Sequence, residues 1–262
     1  MPWSKLILRL GAVTIALILI WRGALGLLGG SYEPARHLLG GAIISAAVLA
    51  VVFLALRADR LPWRTIGHHG ATANLRAFAL GAGLWLLPAL VGTVLCVALG
   101  WSSITLQSTP AALLAALPPL ALGVFLVEAL PEELAVRGYL QGMVARRAAQ
   151  WVALLVQMML FVAFAWAVGA LGSMQQWMFV PGFGLILGIV RALAGSVWAS
   201  MGVHFAWMTA TQLLNAHAAV DGLQTLLFVA FTLLPSATLA TVFSLRRPDF
   251  RWTARLQEKG TH

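Results

Sequence analysis

The chain reads as a succession of apolar runs, each about 20 residues long and so able to cross a bilayer as a helix, separated by connectors that hold most of the charge. In order the runs span Leu6 to Leu28, Leu38 to Leu56, Ala77 to Trp101, Ala111 to Leu130, Ala148 to Leu171, Trp177 to Val197, Trp198 to Asn215 and Leu223 to Leu245. That makes eight segments, or seven if the sixth, which contains Arg191, merges with the shorter and more polar seventh. The pattern predicts an all-α polytopic membrane helix bundle of about eight transmembrane helices. It divides the chain into N-terminal spans over 1–110, a core of four spans over 111–215, and a last span with a basic tail over 216–262.

Composition agrees with the pattern. Hydrophobic residues make up 61% of the 262 and charged residues 10%, with a mean hydropathy of +0.89. A soluble surface needs many more charges than that. The net charge of +9 does not point to nucleic acid, because the basic residues form no stripe interleaved with aromatic residues. They follow topology instead. Arg57, Arg60, Arg64 and Arg76 lie between the second and third segments, Arg146 and Arg147 between the fourth and fifth, and Arg246, Arg247, Arg251, Arg255 and Lys259 in the tail. The connectors Ser102 to Pro110, Gly172 to Gln176 and Ala216 to Gly222 carry no lysine or arginine. With eight crossings and the positive connectors held inside, a multi-pass protein of the cell membrane with both termini in the cytoplasm is expected.

Smaller features fit this plan. Lys5 and Arg9 precede a run that resembles a signal peptide, but Arg22 follows it and no small-residue cleavage pattern appears, so it reads as a retained helix. Trp3, Trp21, Trp63, Trp101, Trp151, Trp177 and Trp252 fall near segment ends, where headgroup-level anchoring accounts for them. Cys96, the single cysteine, reads as a small core residue, and His68 and His69 as an interfacial pair in a connector.

Candidate chemistry lies at the end of the fourth segment. Only eight residues of the chain are acidic, yet Glu128, Glu132 and Glu133 fall close together, and ionisable groups at membrane depth are costly and usually functional. Pro131 lacks the amide that would bond the Val127 carbonyl, so a kink just ahead of the pair is expected. Glu133 and Arg137 stand four apart in the favourable acid-first order. If Arg137 neutralises Glu133, Glu132 is left as the free carboxylate, available as a general base. A second polar stripe, Ser196, Ser200, His204, Thr211, Gln212 and Asn215, recurs at helical spacing on the seventh segment and should face the bundle interior. The two faces predict one hydrated pocket, open toward the cytosol, shared by Glu132 and His204.

The run from Glu132 and Glu133 through Arg137, Gly138 and Tyr139 resembles the first motif, Glu-Glu-x-x-x-Arg, of the CAAX protease and bacteriocin-processing family, also called Abi, which includes the type II CAAX prenyl endopeptidases. The stretch from Gly195 to His204 resembles the approach to that family's third motif, His-x-x-x-Asn. The resemblance covers about 120 to 215. It implies peptide-bond hydrolysis at the membrane: Glu132, with a histidine from the second motif, Phe-x-x-x-His, activates a water. His204 and an asparagine hold the oxyanion, and Glu133 and Arg137 orient the pocket. It further implies a membrane peptide or protein substrate, and either no cofactor or a divalent metal such as zinc.

The chain departs from the pattern at two positions. Phe161 aligns with the second-motif phenylalanine, but Ala165 stands where the histidine should be. Met208 stands where the third-motif asparagine should be. Alanine moves no proton and a thioether donates no hydrogen bond. General acid–base help is worth roughly 10²–10⁴-fold and an oxyanion donor roughly 10²–10³-fold. Gln157 and Trp166 are weak substitutes, and Glu132, Glu133 and His204 supply at most three ligands to a metal. Two functions from different classes therefore stand: an intramembrane protease with altered partners, and a catalytically impaired relative that binds a membrane peptide or protein as a scaffold or regulator. A proton-coupled transporter using Glu128 or Glu132 is the third, and no two-fold repeat of segments supports it.

Overall fold

The computed structural model describes residues 2–28 and 33–256; Lys259 of the basic tail lies outside the described residues. Eight helices make up the bundle: α1 (Trp3–Leu28), α2 (Pro34–Ala58), α3 (Ala71–Ala98), α4 (Pro110–Ala145), α5 (Gln150–Ala167), α6 (Met174–Ala194), α7 (Val197–His217) and α8 (Leu223–Arg246). Their starts are written locally. Thr109 accepts from the Ala112 amide at 3.2 Å just ahead of Pro110 at the first helical position of α4. Ser173 and Gln176 form a reciprocal capping box on α6. Gly195, at φ 69°, ends α6 in the left-handed region, and Ser196 caps α7 immediately after it. This turn separates the sixth and seventh segments, which abut in sequence.

The fourth segment does not stop at Leu130. Pro131 neither breaks nor ends it, because the ladder steps over the missing amide with wider turns: Phe125–Ala129 and Glu133–Leu140 are π-helical. The Leu130 amide reaches back five residues to the Phe125 carbonyl, and the Gln141 amide to that of Val136. The helix therefore runs on to Ala145. The glutamate pair, expected at a helix end, lies about 20 Å inside that end at 1.5 Å per residue.

Among the described residues seven helices, all but α7, are long and apolar enough to cross a membrane. Ser200, His204, Thr209, Thr211, Gln212 and Asn215 dilute α7, and the fold puts it where lipid cannot reach most of it, walled by α3, α4 and α6. The closest approach is backbone to backbone. A Cβ on Gly81 of α3 would overlap the Ala199 carbonyl, and one on Gly202 of α7 would overlap the Phe78 carbonyl. Small residues at such crossings let membrane helices approach closely. The outer face is apolar: Leu87, Val94, Leu114 and Met178 are each more than 60% exposed, the arrangement expected where the solvent is hydrocarbon.

The two ends of the bundle differ. At one, the connectors after α3 and α7 pair as short antiparallel strands, β1 (Ser103–Leu106) and β2 (Ala218–Asp221), with Ser103 opposite Asp221. At the other, the arginine-bearing connectors are bonded together. The Val197 amide donates to the Gly67 carbonyl at 3.3 Å and Leu256 to Ala145 at 2.8 Å, while Trp151 donates to Trp252 at 3.1 Å. His68 accepts from the Trp198 indole at 3.2 Å, and His69 Nε2 donates to the Gly195 carbonyl at 3.1 Å. These histidines tie two connectors together and are not a loose interfacial pair. Trp21 also departs from expectation: it is buried, edge-on to Phe164 at 5.1 Å between centroids, because its position on α1 faces α5 and not the headgroups.

The α3–α7 crossing predicts that Gly202→Val destabilises the protein by more than the roughly 1–3 kcal/mol typical of core overpacking, since a backbone carbonyl cannot rotate away. Thermal unfolding in detergent should show this, with Gly83→Val, whose added Cβ meets nothing within 4 Å, nearly neutral.

Candidate active site

The site is built on the second π-helical stretch of α4 and the middle of α7. Glu133 and Arg137 are fully buried, with Arg137 Nη1 3.2 Å from Glu133 Oε1. The same oxygen accepts from His204 Nδ1 at 3.1 Å. One carboxylate thus holds a guanidinium on its own helix and an imidazole on the neighbouring one. Phe161 of α5 lies under the guanidinium, 4.2 Å from ring centroid to carbon, a cation–π contact strengthened by the absence of water. Phe183 of α6 meets the His204 ring edge to face at 4.9 Å and fixes its plane. Ser200, one turn before His204, lies beside Glu133.

Motif residues further along α4 anchor the helix. The Tyr139 hydroxyl donates to Asp59 at 2.7 Å, and Asp59 pairs with Arg9 of α1 at 3.4 Å. Gly138 leaves the space that Ile66 of the α2–α3 connector fills. Gln141 donates to the Gly188 carbonyl and Gln157 to that of Gly184, each at 2.9 Å. A Cβ on Gly188 would displace the Gln157 amide and the end of Leu154, so this glycine leaves the space that the Gln157 side chain fills between α5 and α6.

Glu132 is different in kind. It is half-buried, forms no hydrogen bond or ion pair among the described residues, and its oxygens are not among the fully buried unpartnered atoms. Both Glu132 and Glu128 lie within electrostatic reach of His204. Glu128 accepts from Gln212 of α7 at 2.8 Å. The four sequence candidates, Glu132, Glu133, Arg137 and His204, are therefore on two packed helices.

Glu132 and His204, expected to share a pocket, are within electrostatic reach of one another, while the bond from His204 goes to Glu133, the glutamate that also pairs with Arg137. The stripe on α7 is also shorter than expected: Ser196, Ser200 and His204 are buried, Thr211 and Gln212 half-buried, and Asn215 is exposed beyond the bundle. Ala165 is buried one turn past Phe161, and Met208 half-buried one turn past His204. Gln157 is committed to a backbone carbonyl and Trp166 is 65% exposed, so neither replaces the missing histidine. Among the described residues no three of His, Cys, Asp and Glu are grouped to hold a metal, and Glu133 is already engaged by Arg137 and His204. Sequence reasoning passed over Gln141 and Phe183, and read Arg191 only as an interruption of an apolar run, although a lone charge inside such a run is itself a signal.

Residues 114–210 match a family model described as type II CAAX prenyl endopeptidase Rce1-like. The match covers less than half the chain and contains all four candidates. No curated protein and no solved structure matches the chain.

The geometry predicts opposite behaviour for the two adjacent glutamates. Glu133→Ala strands Arg137 in the core and should cost about 3–5 kcal/mol, lowering the thermal midpoint. Glu132→Ala breaks no bond and should leave that midpoint unchanged or higher.

Proposed function

We propose that this chain, a member of the Rce1-like family through residues 114–210, hydrolyses peptide bonds within the membrane by means of Glu132 and His204. The observation that carries the reading is the division of labour between adjacent carboxylates. Glu133 is consumed by Arg137 and His204, whereas Glu132 is half-buried and has no partner among the described residues. Glu132 takes a proton from a water whose oxygen attacks the peptide carbonyl, and returns it to the amine nitrogen as the carbon–nitrogen bond breaks. His204, held through Nδ1 by Glu133, donates from Nε2, when that nitrogen also carries a proton, to the oxyanion that develops. Arg137 keeps Glu133 ionised and in place. With alanine at 165 and methionine at 208, this centre lacks one base and one oxyanion donor, so the rate is low.

The arginine-bearing connectors gather at one end of the bundle, which we read as cytoplasmic by the positive-inside bias; both termini then lie in the cytoplasm and the chain is a multi-pass protein of the cell membrane. The substrate is a membrane peptide or protein. A specific observation favours the second reading, a catalytically impaired scaffold or regulator: Ala165 is buried, only 4% exposed, so no side chain from that position reaches into the site to move a proton.

A purified-protein assay on a fluorogenic membrane peptide and a prenylated CAAX peptide separates the two. Slow hydrolysis abolished by Glu132→Gln is expected, with Ala165→His combined with Met208→Asn raising the rate at least tenfold. Hydrolysis indifferent to Glu132→Gln removes it from the mechanism. No hydrolysis by either the wild type or the folded double variant, with peptide binding retained, establishes the scaffold.

A further inference from the structure

At the arginine-bearing end of the bundle a cavity of about 630 Å³ opens behind the site, between the connector after α2, the end of α4, the α6–α7 turn and the tail segment after α8. Its volume lies within the range of small-molecule pockets. Two guanidiniums form its floor. Arg137 is fully buried, and all three of its side-chain nitrogens lack a hydrogen bond. Arg191 is 7% exposed, has no side-chain hydrogen bond among the described residues, and its Nε is buried and unpartnered. Arg64 and Arg247 stand exposed at the rim with His69 between the same walls. No aspartate or glutamate lines the cavity among the described residues.

The charge on that floor does not balance. Glu133 is the carboxylate that acts on Arg191, and it is already shared by Arg137 and His204. Arg191 gains something from the C-terminal dipole of α6, but a dipole supplies no acceptor to a buried nitrogen. The fold nevertheless invests in this guanidinium: Gly67, at φ 82°, turns the α2–α3 connector so that its backbone lies against Arg191, and a Cβ there would stand 2.8 Å from the guanidinium carbon. A buried arginine kept at such cost is matched by an anion, which returns charge-assisted, often bidentate, hydrogen bonds. Two floor cations and two at the rim, with Arg146 in the same lining but engaged elsewhere, exceed what one carboxylate can neutralise. They suit a dianionic group with several acceptor oxygens.

We propose that this cavity binds a phosphate group, presented by a lipid headgroup or by a soluble phosphate, with Arg191 and Arg137 beneath it and Arg64 and Arg247 closing over it. The cavity lies at the level of the helix ends, where headgroup phosphates sit, and its volume leaves room for the group the phosphate carries. The inference does not depend on hydrolysis.

The test uses the full chain in phosphatidylcholine nanodiscs, titrated with inorganic phosphate at constant ionic strength and followed by calorimetry and thermal shift. Wild type should bind saturably. Arg64→Gln combined with Arg247→Gln, both exposed and so compatible with folding, should weaken binding at least tenfold, as should Arg191→Gln where it folds. Nanodiscs containing phosphatidic acid distinguish the sources. Loss of the phosphate response there assigns the site to a headgroup, and an undiminished response assigns it to a soluble phosphate. Absence of binding, or equal binding by wild type and the rim double variant, overturns the proposal.

Discussion

A single buried carboxylate organises the centre of this bundle. Glu133 has no water to solvate it, so its charge must be met by protein, and it is met twice, by Arg137 on its own helix and by His204 across the α4–α7 interface. Breaking such a pair strands a charge. The neighbours are arranged accordingly: Phe161 covers the guanidinium, Phe183 fixes the imidazole, and the glycines at 81 and 202 bring α3 against α7 so that the polar helix stays inside. Lipid on the outside makes this arrangement consistent, because the apolar surface needs no other cover.

The same interaction determines what the remaining groups can do. With Glu133 occupied, Glu132 is the carboxylate of the pair without a partner among the described residues, and with His204 bonded through Nδ1, its other nitrogen is the one left over. The floor of the basic cavity belongs to the same network from the opposite side, since Arg137 lines it while ion-paired with Glu133. One charge balance thus connects the site to the end of the bundle where the arginine-bearing connectors meet.

Much of this was legible in the chain. Eight helices follow from apolar runs because a membrane span needs a fixed length of hydrocarbon-compatible side chains, and the Glu133–Arg137 pair follows from helical spacing. What sequence could not supply was direction. Counting charges paired Glu133 with Arg137 and left Glu132 without a counterion, but it did not reveal that His204 also bonds Glu133. The fourth segment was read as ending at Leu130, with a kink at Pro131 because proline removes an amide, yet a π-helical step absorbs that loss and carries α4 thirteen residues past Glu132 to Ala145. Trp21 was read by its place near a segment end, while packing against Phe164 decides it. Arg191 was visible as a charge inside an apolar run, but only the fold shows that nothing beside it completes its hydrogen bonds.

The central claim, that Glu133 is the structural anchor and Glu132 the working carboxylate, is tested most directly by a high-resolution electron cryomicroscopy map of the protein in nanodiscs. The account predicts His204 Nδ1 bonded to Glu133 and Arg137 ion-paired with it, with an ordered water on Glu132. Density that bonds His204 or Arg137 to Glu132, or turns Glu132 into lipid, contradicts it.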